Sequence, residues 1–525
     1  MSPQYLSPGV YVEEVDKGSK PIEGVGTSVA AFVGFTEKLP DPDKFPNPYA
    51  PVFVTNWSQF VQHFGEFIPG GYMAHAVYGY FHNGGGAAYI AALPGSGNGT
   101  EEAAAPKAQA ALPSGAQPSI ETLTVTALEA GDVSVEVSKP TGEDIPEDQF
   151  NLTIKAGGKE EKFENLTFKK GKAVRNVVDV VNKESKLVKV AEKESTLGIP
   201  EKAPAPGNYP LVASTTTAVS TGPVSADVIV GDADSRQGVN GLTICEDVTM
   251  VMCPDTMALY QSGKISKEGV KIIQTAMLDH CTNMKDRFAI LDCLPGLSPQ
   301  EVKDWVVNEA GYDSKYGAVY YPWIKVANPL GNGEGIMVPP SGHMAGIYAR
   351  VDSERGVHKA PANEIVQGSI GLETNITKGE HDSLNPAGIN CIRAFPGRGI
   401  RVWGARTISS DASWRYINVR RLFNFVEKSI EVGTQWVVFE PNDQNLWAKI
   451  RRDVSAFLKR IWMEGALFGA TPADAFYVKC DEELNPVEVR DAGQVIIEIG
   501  ICPVKPAEFV IFRISQWAGG AAVAE

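Results

Sequence analysis

Over the first 25 residues apolar and polar positions alternate, with Val10, Val12 and Val15 separated by Tyr11 and two glutamates, while Pro3, Pro8, Gly9, Gly18 and Pro21 break the run. A period of two marks a strand with one covered face, yet nothing nearby in the chain supplies its partner. The pattern predicts an N-terminal arm, residues 1–25, lying on the sheet edge of a neighbouring subunit with Val10, Tyr11 and Val12 at its centre. At Val29 the pattern changes to an unbroken apolar run that reaches Phe35, followed by the turn-rich Pro40-Asp41-Pro42-Asp43 and a helix expected from Gly71 to His82. Asn83-Gly84-Gly85-Gly86 ends that helix, because glycine enters the left-handed region without steric cost, and residues 87–91 then read as a strand. Residues 26–95 are therefore the first part of a folded core.

Between 96 and 207 the texture shifts to Gly-, Ala- and Pro-rich linkers around a lysine-rich block. Residues 120–125, 133–137 and 150–154 alternate as strands, and Val174, Val177, Val178 and Val181 recur at helical spacing. This predicts an inserted β-rich domain on the outside of any assembly. Residues 208–382 alternate apolar runs (227–230, 248–253, 287–292, 317–321) with amphipathic helices, one carrying Val270, Ile273, Met277 and Cys281 on a single face. Ser298-Pro299-Gln300-Glu301 supplies a cap, a first-turn proline and a capping-box glutamate. Such alternation predicts a doubly wound α/β domain. Residues 383–507 combine a long helix near 442–464 with strands at 476–479 and 495–501, an α+β C-terminal domain. Pro503 and Pro506 set off a last strand, 508–514, which opens a C-terminal arm (508–525) carried by Phe509, Val510, Ile511 and Phe512. The fold class expected is thus multidomain, α/β and α+β, with extended arms at both ends.

Composition narrows what such a chain can do. At 525 residues it needs several cores at roughly 150 residues each, and 43% hydrophobic against 21% charged residues is an ordinary globular balance. A formal charge of −15 argues against nucleic acid as a partner. No 18-residue apolar segment occurs and the start lacks the marks of a secretory signal, so synthesis in the cytoplasm and no direct membrane insertion are expected. The seven cysteines are scattered and odd in number, without Cys-x-x-Cys or His-Glu-x-x-His spacing. They read as reduced core residues, with no metal or cofactor expected. No internal repeat of fixed period is present, so any periodicity must come from copies of the whole chain.

Gly26-Thr27-Ser28-Val29-Ala30 resembles the nucleophile motif of subtilisin-type serine proteases, and Gly342-His343-Met344-Ala345-Gly346 their histidine motif. That family runs Asp, His, Ser; here the serine comes first and no aspartate motif stands out, so no catalytic residue is assigned and a serine hydrolase is only the alternative. The bland reading puts Ser28 at the entry to a strand and His343 at a helix N-terminus. The glycines of Phe395-Pro396-Gly397-Arg398-Gly399-Ile400-Arg401 lack the lysine and spacing of a phosphate loop. They suit a sharp turn from which Arg398 and Arg401 reach acidic neighbours within or between subunits. In the long helix, Leu446, Ile450, Val454, Phe457, Leu458 and Ile461 form an apolar stripe while Lys449, Arg452 and Lys459 share another face. That cationic face is either simply solvated or docks an inner partner of opposite sign.

Longer motifs go further. Residues 389–407, from Ile389-Asn390-Cys391 through Arg398 to Trp403-Gly404-Ala405-Arg406-Thr407, lead to Trp414-Arg415-Tyr416-Ile417-Asn418-Val419-Arg420-Arg421. Gly433-Thr434-Gln435-Trp436-Val437-Val438-Phe439-Glu440-Pro441-Asn442, Lys479-Cys480-Asp481 and Val504-Lys505-Pro506-Ala507-Glu508-Phe509 follow in order, and Tyr5-Leu6-Ser7-Pro8-Gly9-Val10 stands at the other end. Together they resemble the contractile tail sheath family over about four fifths of the chain, residues near 96–207 excepted. The resemblance implies a subtilisin-like fold without its activity, and a virion-type structural protein rather than an enzyme. It implies hexameric rings stacked helically around an inner tube, contraction that drives the tube through a target envelope, and strand exchange between subunits. Implied partners are neighbouring sheath subunits, an inner tube protein, and baseplate and terminal cap proteins. The implied location is a phage tail or phage-tail-like particle of a contractile injection system, assembled in the cytoplasm, with release from the cell left open.

Overall fold

The computed structural model describes residues 21–514, apart from 98–107, 115–120, 128–132, 141–145, 147, 157–158, 170–173, 186, 193–197, 214–225 and 332–333. The chain forms two compact units: Met1–Ser96 with Gly222–Glu525, and Gly97–Thr221.

The larger unit is built on an eight-stranded sheet. Its strands are β1 (Val29–Gly34), β2 (Val52–Val54), β3 (Ala87–Ala92), β4 (Met250–Met252), β5 (Phe288–Asp292), β6 (Gly317–Tyr321), β7 (Ile389–Phe395) and β8 (Gly399–Val402), in the order β2-β3-β1-β4-β5-β6-β7-β8. The six strands from β3 to β7 run parallel, and β2 and β8 close the edges antiparallel. Every residue of β4, β5 and β6 is buried. A parallel sheet is covered on both faces, which is why these strands appear in the sequence as continuous apolar runs rather than alternations. By hydrogen bonding β7 and β8 belong to this sheet, although residues 383–507 read from sequence as part of the C-terminal domain.

From β1 the chain steps to β3 on one side, and from β4 onward it steps the other way. With right-handed crossovers that reversal sends the connecting helices to opposite faces. The helices α1 (Trp57–Phe64) and α2 (Met73–His82) follow β1, whereas α3 (Asp255–Gln261) and α4 (Lys267–Met284) follow β4. On α4, Val270, Ile273, Met277 and Cys281 all face the core, as their spacing requires. Ser298 and Glu301 close a full capping box with Pro299 in the first turn. A helix α5 (Ser341–Arg355) crosses α2 so closely that a Cβ on Gly342 would lie 2.3 Å from the carbonyl oxygen of Ala76.

One expected strand is a helix. Residues 227–230 sit in the turn Ala226–Val230, where only Ile229 is buried and its carbonyl accepts from Val239 N at 2.9 Å. Four apolar residues cannot be assigned to strand or helix by period alone.

The C-terminal part centres on α6 (Ile417–Gly433), α7 (Gln444–Met463) and a two-stranded antiparallel sheet, Phe476–Lys479 with Glu498–Ile501. The second of these strands begins at 498 rather than 495. The stripe from Leu446 to Ile461 is buried, together with Leu422, Val426 and Ile22. Ile22 therefore packs into this core, and the chain around it is tied to the C-terminal helices instead of standing away from them. Ile22 is 2% exposed, its carbonyl accepts from Arg460 Nη2 at 2.8 Å, and Val25 N donates to Ser429 Oγ at 3.1 Å.

The smaller unit holds two four-stranded antiparallel sheets and the helix Val177–Glu184 around its own core, which includes Leu123, Val125, Val135, Leu152, Ile154 and Val181. Val133, Val135 and Val137 point inward, so the alternation in the sequence is the pleat of one sheet.

Candidate assembly surfaces

Open α/β sheets bind ligands outside the carboxyl ends of their strands where the strand order reverses, here between β1 and β4. That place is filled by the chain itself. Asp255, immediately beyond β4, is fully buried and accepts from Phe35 N at 2.6 Å, Tyr72 N at 2.5 Å and Met73 N at 3.1 Å. It ties the end of β1 to the start of α2. Burial pushes its carboxyl up to about 6. At the end of β5, Asp292 does the same for α5, accepting from Ser341 N at 2.9 Å and Ser341 Oγ at 2.6 Å, and burial pushes it up to about 7. Both carboxylates thus hold helix N-termini, where a negative end is favoured.

The protease-like motifs resolve into packing. His343 is 3% exposed near the start of α5, its ring against Gly79, and burial lowers it to about 3 with His82 and His75 nearby. Ser28 precedes β1, and its carbonyl accepts from Tyr80 Oη at 2.6 Å. Six of the seven cysteines are buried, and Cys502 is exposed, a departure from the all-core reading. Among the described residues no group of three or more His, Cys, Asp or Glu could hold a metal ion, and no helix is long and apolar enough to cross a membrane.

The 395–401 turn is tight, with Gly397 and Gly399 both at positive φ. Within the chain its arginines meet neutral partners, not acids. Arg398 Nη2 donates to Asn363 Oδ1 at 3.1 Å, Arg401 Nη1 donates to Asn363 O at 2.7 Å, and Arg398 stacks over Phe395 and Trp403. A planar guanidinium over aromatic rings needs no carboxylate. Two other arginines, which the sequence shows within a long motif but without a role, lock α6 in place. Arg421 forms a buried bidentate pair with Asp352 of α5, its shorter contact 2.6 Å. Arg420 lies over Trp414 and reaches Asn424 at 2.8 Å.

Lys449, Arg452 and Lys459 are all exposed on α7, opposite its buried stripe. Arg452 Nε lies 2.9 Å from Asp453 Oδ1, which tempers that face. Val10, Tyr11 and Val12 lie outside the described residues. At the other end, Glu508 is bound by Arg406 Nη2 at 2.6 Å, Arg406 Nε at 2.9 Å, Asn385 Nδ2 at 2.7 Å and Tyr416 Oη at 3.1 Å. Burial works against its charge, but hydrogen bonds from Arg406 and Asn385 hold the carboxyl below its ordinary value. Beyond this anchor residues 509–514 form no strand, and Phe509, Val510, Ile511, Phe512 and Ile514 are 71–94% exposed. A strand needs a ladder partner, and the described residues of the chain supply none for it. The sheet of 476–479 and 498–501 likewise gains no third strand among the described residues.

The crevice is filled by the chain itself, and residues 509–514 and one face of α7 present exposed apolar and cationic side chains. Residues 264–408 match the phage tail sheath protein central domain and residues 409–516 the phage tail sheath C-terminal domain. The tail sheath protein of Vibrio phage KVP40 is 30% identical over 192 residues, 36% of this chain but only 28% of that relative's length. Two solved structures share the fold across 98% of the chain and 99% of theirs at 23% identity: one from the anti-feeding prophage baseplate (TM-score 0.56) and one from the PVC sheath complex of an extracellular contractile injection system in its contracted state (TM-score 0.55). Residues 264–516 are thus matched by the two phage tail sheath domains, those of a family of structural sheath proteins.

Proposed function

We propose that this chain is the sheath subunit of a contractile injection machine, stacking as hexameric rings around an inner tube and contracting to drive that tube through a target envelope. The observation that carries this reading is the segment 509–514, apolar and exposed beyond a fixed anchor, in a chain whose C-terminal two-stranded sheet gains no third strand among the described residues. One copy's arm completes another copy's sheet by strand addition. Heterologous contacts of this kind propagate a helix rather than close a dimer. The α/β domain is a subtilisin-like scaffold whose crevice is occupied by Asp255. Contraction draws on strain set at assembly, as a trapped lattice repacks. The cationic face of α7 meets the inner tube, and baseplate and cap proteins end the stack. Electron microscopy of the purified chain, alone and with an inner tube protein, tests this: sheath tubes are expected, and only dispersed particles at high concentration in both samples would defeat it.

A further inference from the structure

Beside the root of the C-terminal arm lies a recess of about 600 Å³, walled by the end of α5 and the chain just beyond it, by Trp403 and Tyr416, and by the segment from Val504 to Val510. Its lining is cationic. Arg355, Lys359 and Lys505 stand against a single acid, Glu508, which Arg406 already binds. Lys359 has a partner in Glu364 at 2.7 Å, but Arg355 and Lys505 are exposed and have neither an ion pair nor a hydrogen bond among the described residues. On a chain of net charge −15 such a lining calls for an acidic occupant.

The described chain begins next to it. Ile22 shares a core with Val357, which stands in sequence between Arg355 and His358 of the recess. Residues 1–20, outside the described residues, carry Glu13-Glu14-Val15-Asp16, three carboxylates in four positions, whereas residues 515–525 at the other end carry only Glu525. Extended backbone covers about 3.3 Å per residue, so the eight steps from Pro21 back to Glu13 span up to about 26 Å. The two ends of α6, where Ile22 and Glu508 attach, are about 25 Å apart, so even the far wall is within reach of the same chain. We infer that Glu13-Glu14-Val15-Asp16 docks in this recess of its own chain, its carboxylates against Arg355 and Lys505. Tethering selects that occupant, since a short linker holds the acids at an effective concentration of about a millimolar, above that of a second copy in dilute solution. Docked there, the stretch fixes where Val10, Tyr11 and Val12 leave the subunit. The inference concerns the single chain and does not rest on the sheath reading.

Zero-length carbodiimide coupling of the full-length chain, kept dilute and unassembled and mixed from equal parts of normal and nitrogen-15-labelled copies, tests this. Amide links from Lys505 or Lys359 to Glu13, Glu14 or Asp16 are expected by mass spectrometry, and each linked pair should carry a single isotope. In Arg355→Glu the yield should fall about tenfold, because a like charge now meets the acids. Its unfolding temperature should stay that of the parent, as Arg355 is exposed and without a polar partner among the described residues. Linked pairs of mixed isotope would place the segment on a second copy, and links from other acids alone, or none, would leave the recess to another ligand. An unchanged yield in a folded Arg355→Glu would reduce the links to chance encounter. Each of these results overturns the inference, and should that variant fail to fold, the isotope pattern of the parent decides alone.

Discussion

Asp292 shows how a single buried group sets a measurable property. Its carboxyl is pushed from 3.8 to about 7 by burial, so its folded value lies above its unfolded one. Its contribution is therefore fully present below about pH 4 and is lost as pH rises toward 7. At about 1.4 kcal/mol per unit, the ceiling on that loss is about 4 kcal/mol. Asp292→Asn keeps both contacts, since the amide oxygen accepts from Ser341 N and the amide nitrogen donates to Ser341 Oγ. The variant should match the parent at pH 4 and exceed it by pH 8, measured by denaturant unfolding; parallel profiles would refute the assignment. His75 and His343 act with the opposite sign. Burial lowers them to about 4 and about 3, so their contribution is present above about 6.5 and lost toward acid, and only the difference between parent and variant isolates Asp292.

Among elements, the α2–α5 crossing depends on backbone meeting backbone. A Cβ at position 342 would fall 2.3 Å from Ala76 O and 2.5 Å from Ala76 Cα, atoms that no rotamer change can move. Gly342→Ala should cost about 1–3 kcal/mol of stability, seen as a lower midpoint in chemical denaturation. Sequence did not show this, because the histidine motif around Gly342 drew attention to chemistry while the residue's use is steric. What was legible followed period and punctuation: the apolar runs of β4, β5 and β6, the capping box at Ser298, and the stripe of α7. What was not legible depends on partners distant in the chain, such as Ile22 in the C-terminal core or Arg421 against Asp352. The strand expected at 508–514 marks the same limit, as the alternation is in the sequence but no ladder partner is found among the described residues. Ending the chain after Glu508 should leave unfolding of the single subunit unchanged while tubes disappear from negative-stain images. Normal tubes from that truncation would exclude the arm as a connector.

At the scale of the whole molecule, weak contacts gain by repetition. Reversing charge at Lys449, Arg452 and Lys459 together should preserve the subunit fold, since all three side chains are exposed, yet loosen the sheath from its tube in a salt-dependent way. Co-sedimentation of sheath and tube across a salt series reads this, and an unchanged profile would return the face to mere solvation. One feature also bears on how such a lattice carries load. Glu508, where the last segment departs, is bound to Tyr416 at the N-cap of α6, while residues 22–25 lie along the far end of the same helix, at Ser429 and Gly433. Seventeen residues of helix, about 25 Å, separate the two attachments. If the two termini are joined to neighbouring subunits as proposed, tension entering at one and leaving at the other would pass along α6 as along a tie-rod, and the parallel sheet would travel as undeformed ballast.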